Sequence, residues 1–417
     1  MDGRTLDAAN LHAMELWKHE WEPLGSSYNI SYGEGQKWHF LAGHRTDEAT
    51  LIKIYDSADV PAKHGHNDFP IWIRAFWGNH IYQGNFSADQ ELYGQVDFVR
   101  LQQGGVTGQF WSVYVPCPSD TSMTDESYGV SVRDTLQQID LVQRLATAYP
   151  GHIRPVRTAG EMATVMRKHR TGIASLLGVE GLHQIGNSAS VLRVYHQLGV
   201  RYITLTHSCH NPYADSCAPS TPLHGGLSPA GEAMVREMNR VGMMVDLSHT
   251  SAATQRASLA LSKAPVLFSH SSAYALCAHR RNVQDDVLDL LPRNGGLVMI
   301  NFTPEFLRQD EGNASLADVA DHIVYVGERI GYAHVGLGAD YDGMGFGQAP
   351  RGLEDVASYP ALMAELQRRG VAREDRLAVA GGNVLRVLGE VERVAASMAD
   401  EPLEDDVKSF FTEHTVV

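Results

Sequence analysis

The sequence predicts an α/β protein built as a closed (β/α)8, TIM-type barrel. Three observations carry that prediction. Short apolar runs of strand length recur along the chain, helix-length amphipathic stretches separate them, and most of the runs stop at a histidine, aspartate or glutamate. Continuous apolar strands belong to a parallel sheet covered on both faces. Eight such units suit a closed barrel, which needs about 250 residues before insertions. The chain has 417.

The elements follow in order. Residues 1–50 show no strand or repeat pattern beyond a short expected helix over 5–19, and are read as an N-terminal extension; residues 51–417 are read as one domain. A weak strand precedes His66. Strands are expected over 108–116, 173–180, 202–207, 243–249, 265–270, 296–302 and 335–340. Helices are expected over 132–147, 188–198, 229–241, 252–261, 285–291 and 316–330, with 360–369 and 373–388 closing the chain. Ser228 followed by Pro229 is a cap with a first-turn proline. An open, doubly wound sheet would show a glycine-rich phosphate turn after its first strand, and Gly65-His66-Asn67-Asp68 is not one.

Composition narrows the function. A net charge of −15 argues against nucleic acid or an anionic membrane surface as partner. No apolar run is long enough to span a bilayer. Met1 to Glu20 lacks the apolar stretch of a signal peptide, and the tail is too short for a lipid-anchor signal, so a cytoplasmic location is expected. Four cysteines, none spaced C-x-x-C, make neither a disulfide scaffold nor a thiolate zinc site.

The polar residues that close the runs carry the chemistry. His66 and Asp68 follow the first strand; Glu180, His207, His249, His270 and Asp340 end later ones. In a parallel barrel these ends converge on one rim, where such enzymes place their active sites. Positions 64, 66 and 68 of His64-Gly-His66-Asn-Asp68 can share one face and form a metal-ligand comb. Glu180 ends an apolar strand, where an unpaired carboxylate is costly; with two oxygens, it can bridge two metals. His249 and His270 close consecutive strands, roughly 5 Å apart, and can share one ion. Two dications, balanced by Asp68, Glu180 and a bridging hydroxide, leave one positive charge to attract an anionic substrate end. Oxygen and nitrogen ligands fit two Zn2+ ions, with manganese or cobalt as substitutes. His207 can be a ligand or can hydrogen-bond a developing oxyanion. Arg281 can hold a substrate carboxylate in bidentate fashion. Of Asp340 and Asp342, one is a candidate for moving protons and the other for fixing the turn at Gly343.

At these residues the chain resembles the renal (membrane) dipeptidase family of zinc peptidases. The matching stretches include His66-Asn-Asp68-Phe-Pro70, Gly178-Val-Glu180-Gly, Tyr202-Ile-Thr-Leu-Thr-His-Ser-Cys209, Asp246-Leu-Ser-His249, Phe268-Ser-His-Ser-Ser-Ala-Tyr274, Arg280-Arg-Asn-Val283 and Gly338-Ala-Asp-Tyr-Asp-Gly343. They run in the family's order from about 64 to 390. The resemblance implies a two-zinc barrel, often a homodimer, that cleaves dipeptides with a free carboxyl end. It puts His66 and Asp68 on one zinc, His249 and His270 on the other, and Glu180 between them. It gives His207 and Arg281 to the substrate and makes Asp340 the acid/base. It pairs Cys117 with Cys209 and leaves Cys277 without the partner found in secreted members. The chain departs from the family at His64, where an aspartate is common, and at Leu182, which replaces a glycine.

The expected reaction is therefore hydrolysis of a dipeptide by a metal-bridging hydroxide, with cysteinylglycine-type or glutathione-derived conjugates as one substrate class. The alternatives are another binuclear amidohydrolase (lactamase, deaminase or esterase) and a non-catalytic barrel that only binds.

Overall fold

The computed structural model describes residues 63–405 except 87–91, 93, 168–171 and 346; four strands within 11–56, together with Lys63 and His64, are described by their backbone alone. The chain divides into two units, Met1–Pro61 and Ala62–Val417.

In the first unit, Leu11–Trp17 pairs antiparallel with Pro23–Ile30, and Gln36–Phe40 with Leu51–Asp56. The helix expected over 5–19 is thus a strand over Leu11–Trp17; the rest of that stretch lies outside the described residues. A helix of that length is marginal alone, and an antiparallel partner supplies hydrogen bonds to alternate residues of the segment instead.

The second unit is a nearly closed barrel of eight parallel strands. They are β1 (Lys63–Asn67), β2 (Val106–Val113), β3 (Ile173–Glu180), β4 (Val200–Thr204), β5 (Met244–Asp246), β6 (Leu267–Phe268), β7 (Leu297–Ile300) and β8 (Val335–Leu337). Each pairs with the next in sequence order. A parallel bridge between Asn67 and Tyr341, with the Asp68 amide donating to the Tyr341 carbonyl at 2.9 Å, returns the end of β8 to β1. One strand that was not expected, Ile153–Pro155, pairs with the start of β3.

Side chains alternate across each strand. Trp111, Val179, Ile203, Val245 and Val298 belong to the large cluster beneath the helices, whereas Phe110, Leu176, Tyr202, Met244 and Met299 form a second cluster. The helix Asn383–Ser397 contributes Val384, Val387, Leu388 and Val391 to that second cluster. The same inward rows turn polar toward the C-terminal ends: Leu176 gives way to Glu180, and Met244 to Asp246. All of these residues are buried.

Three further expectations need correction. The ladders end at Thr204, Asp246, Phe268 and Leu337, two or three residues before His207, His249, His270 and Asp340. Those side chains therefore stand on rim loops, and only Glu180 is the last residue of its strand. His249 and Asp340 have φ of 61° and 63°, left-handed backbone that no ladder accommodates. The helix expected over 285–291 is two short turns, Asp285–Leu288 and Leu291–Asn294, with Pro292 opening the second. The stretch expected over 373–388 is broken by a wide turn at Ala378–Gly382 before Asn383–Ser397.

Candidate metal centre

The rim gathers residues at or just beyond the ends of five strands into one buried cluster. Nε2 of His249 lies 2.9 Å from Nε2 of His270, and each is 3.0 Å from Oε1 of Glu180. Two imidazole nitrogens and a carboxylate oxygen facing one another this closely present more lone pairs than a proton can satisfy. A tetrahedral ion with bonds of about 2.0–2.1 Å sets its ligands roughly 3.3 Å apart, close to this spacing.

On the other side, Nε2 of His66 is 3.5 Å from Oδ2 of Asp68 and 3.6 Å from Oδ1 of Asp340. Ligand atoms of His66, Asp68 and Glu180 all lie within 4.8 Å of one another, as do those of Glu180, His249 and His270. Glu180 belongs to both sets. The His66 and His270 rings stack with centroids 4.4 Å apart, so the two sets adjoin.

The residues fit metal ions. Nε2 of His66 and Oδ1 of Asp68 are buried without a hydrogen-bond partner. A Cβ on Gly343 would sit 2.4 Å from Oδ1 of Asp340 and 2.5 Å from Oδ2 of Asp68, so only a glycine leaves the space between those carboxylates open. The donor set of nitrogen and oxygen without thiolate suits divalent zinc-like ions in catalytic sites.

Electrostatics point the same way. Burial pushes the Asp68 carboxyl up to about 6, against the pull of His66. Burial also disfavours a charged Glu180, but its hydrogen bonds with His249 and His270 outweigh this and hold its carboxyl well below the usual range. Burial, reinforced by Arg281 and His207, drives the His249 imidazole well below its ordinary value, so it is a neutral nitrogen donor. Burial opposes the charge of Asp340 too, yet His270 and His66 hold it ionised. Such a concentration of buried carboxylates calls for cations.

Behind these groups lies a supporting layer. The Tyr202 hydroxyl is 2.5 Å from Nδ1 of His66. Ser269 Oγ is 2.8 Å from Nδ1 of His270 and donates to Oδ2 of Asp246 at 2.6 Å. Thr204 Oγ1 donates to the same oxygen at 2.5 Å. Asn301 donates to Oδ2 of Asp340 at 3.2 Å. None of Tyr202, Asp246, Ser269 and Asn301 was singled out from the sequence. The available signal was a polar group on an inward row of an otherwise apolar strand, or just beyond its end.

The remaining predicted residues lie around this cluster. The half-buried His207 packs its ring on Tyr114 and His249, with centroids 4.9 and 4.4 Å away. Among the described residues it joins none of the candidate ligand groups. Arg281 is buried; Nη2 donates to the His270 carbonyl at 3.2 Å, and Nη1 has no partner. Asp342 turns away from the cluster and accepts from the Gln95 amide at 2.5 Å. The His64 side chain lies outside the described residues. Cys117 and Cys209 form a disulfide between the loops after β2 and β4, whereas Cys217 and Cys277 are free.

A parallel barrel with paired imidazole and carboxylate candidate ligands on its C-terminal rim is the framework of a metal-dependent hydrolase. The chain belongs to the membrane dipeptidase family, peptidase family M19, whose model matches residues 57–402, and it is a metallo-dipeptidase. A second model, described as an oxidoreductase/YMDC permease-like domain, matches residues 1–69. The chain is 60% identical to dipeptidase aclJ of Aspergillus oryzae over 354 residues, 84% of this chain and 83% of that protein. It is 47% identical to dipeptidase tcpJ of Claviceps purpurea over 359 residues, 86% and 83% of the two chains. Among solved structures, a metallopeptidase from Rhodobacter sphaeroides bound to a phosphinate mimic of L-Ala-D-Ala superposes with a TM-score of 0.69 at 25% identity, covering 80% of this chain and 100% of that one. No helix among the described residues is long and apolar enough to cross a membrane.

Proposed function

We propose that the chain is a two-zinc dipeptidase that hydrolyses dipeptides bearing a free C-terminal carboxylate, its barrel acting as one domain behind an N-terminal extension. The observation that carries this reading is Glu180, whose Oε1 is 3.0 Å from two imidazole nitrogens while its carboxylate is also within ligand distance of His66 and Asp68. In this reading His66 and Asp68 hold one zinc, His249 and His270 the other, and Glu180 both. When bound, the two ions would supply a water of lowered pKa and polarise the scissile carbonyl.

The chain's own groups do the rest. Arg281 binds the substrate carboxylate through its unpaired Nη1, which selects dipeptides over longer chains with a distant terminus. His207, beside His249 on the rim, donates to the carbonyl oxygen as negative charge develops there. Asp340, kept ionised and held by Asn301, takes the proton of the attacking water at a carboxylate oxygen and passes it to the departing amine. Within dipeptides, cysteinylglycine-type and glutathione-derived conjugates are the class to test first.

A panel assay tests the reading. Metal-loaded protein is given Ala-Ala and Leu-Ala types, cysteinylglycine S-conjugates, the same dipeptides with amidated C-termini, and simple esters. The expected result is cleavage of the free-carboxylate dipeptides alone. Equal cleavage of amidated substrates removes the role given to Arg281, and preference for esters or cyclic amides replaces the dipeptidase reading with another amidohydrolase.

A further inference from the structure

Each half of the cluster has its own orienting group, and the one behind His66 is a tyrosine buried inside the barrel. Tyr202 lies on β4, in register with Gly178 of β3 and Met244 of β5. Its ring packs edge-on against Phe110 at 4.9 Å and is fully buried. The hydroxyl reaches across the interior to Nδ1 of His66 at 2.5 Å. Gly178 makes that reach feasible. A Cβ there would stand 2.0 Å from Cζ and 2.3 Å from the hydroxyl oxygen of Tyr202. The φ of Gly178 is not in the left-handed region, so space, rather than backbone conformation, requires the glycine.

From this geometry we infer that Tyr202 is the positioning residue for the His66/Asp68 half of the metal centre, holding the ring plane of His66 by its contact with Nδ1. This rests on the two-zinc reading. For His66 to bind a cation through Nε2, Nδ1 must carry the proton, and a buried N–H needs an acceptor. The Tyr202 oxygen is the acceptor in place, and a hydroxyl can serve as one. Nε2 is then left with a free lone pair aimed at the space beside Asp68 and Asp340, where it has no hydrogen-bond partner. The opposite tautomer would point an N–H into that space and close it to a cation. His270 does not depend on Tyr202, because its Nδ1 is served by Ser269, itself anchored on Asp246. The two halves are thus separately tuned. Loss of an outer group that orients a metal-binding histidine typically weakens the metal by about 10- to 100-fold.

The test is zinc binding to Tyr202→Phe, which keeps the ring and removes the hydroxyl. Metal-free wild type and variant are titrated with Zn2+ against a chromophoric chelator, and the melting temperature of each metal-free protein is recorded. The expected result is two equivalents in wild type; in the variant, one equivalent is unchanged and the other about 10- to 100-fold weaker, with the metal-free melting temperatures alike. Ser269→Ala is expected to weaken the other equivalent instead. Two wild-type-like equivalents in Tyr202→Phe overturn the inference and leave the two-zinc reading standing. Fewer than two in wild type overturn the two-zinc reading, and the inference with it. If Tyr202→Phe does not fold, Gly178→Ala pushes the phenol off His66 without removing it and is expected to weaken the same single equivalent; undisturbed binding there overturns the inference equally.

Discussion

Nη2 of Arg281 donates to the backbone carbonyl of His270 at 3.2 Å, which ties the guanidinium to the main chain of a residue in the cluster. The fork is therefore fixed at one nitrogen and free at the other. Its Cζ lies over Phe306, 5.3 Å from the ring centroid, so it is placed by packing as well as by hydrogen bonding.

Arg281→Ala is expected to lower kcat/KM for free-carboxylate dipeptides by about 10²-fold, the scale for removing one member of a buried charge pair. The loss should fall mainly on KM. Arg281→Lys should rescue little, since an ammonium cannot bind His270 and a carboxylate with the same fork. Steady-state kinetics with free and amidated substrates check both statements; an unchanged KM counts against them.

Glu180→Gln keeps the shape of the side chain and removes its charge. Because one carboxylate faces both ligand sets, zinc content should fall at both and activity by more than about 10²-fold, the upper range for loss of even an outer-layer group. Elemental analysis after gel filtration reads this directly. Retention of two metals would remove Glu180 from the bridge.

Gly343→Ala tests the open space at the rim. Its Cβ would fall 2.4 Å from Asp340 and 2.5 Å from Asp68, while the φ of Gly343 lies outside the left-handed region. The fold should survive and the site should not. Activity is expected to drop by about 10- to 100-fold, as when ligand orientation is lost, with a melting temperature close to that of wild type.

Asp215 gives a pH prediction away from the candidate metal ligands. Burial opposes its charge, but backbone amides of His224, Leu223, Gly226 and Gly225 donate to the carboxylate and hold its pKa below the ordinary value. Its stabilisation is therefore whole above the unfolded value of about 3.9 and is lost as pH falls through the lower folded value. At pH 7, Asp215→Asn should cost about 1–3 kcal/mol. That difference from wild type, read by urea unfolding, should shrink as the pH drops below about 4. A difference independent of pH would contradict the assignment.

The barrel was legible because its strands are apolar on both faces, which only a covered parallel sheet tolerates. The site was legible because Glu180, His249 and His270 interrupt or terminate that apolar pattern. Strand ends were misjudged at His207, His249, His270 and Asp340 because hydrophobicity continues past the ladder, through Leu205, Leu247 and Ala339, which are all buried. Periodicity reads burial, whereas a strand is defined by its hydrogen bonds. Spacing alone did not separate Asp340 from Asp342, which sit two residues apart in one turn; the family resemblance chose Asp340, and in the fold Asp340 faces His66 while Asp342 faces Gln95. Tyr202 opens an expected strand and is fully buried, but its hydroxyl's partner, His66, is 136 residues away.

In the proposed two-zinc centre, one carboxylate, that of Glu180, joins two metal ions inside the rim. Anomalous diffraction at the zinc edge, on crystals of the protein as purified with zinc, tests it most directly. Two peaks are expected, one among His249, His270 and Glu180 and one among His66, Asp68 and Glu180. A single peak, or two peaks that do not share Glu180, would contradict it.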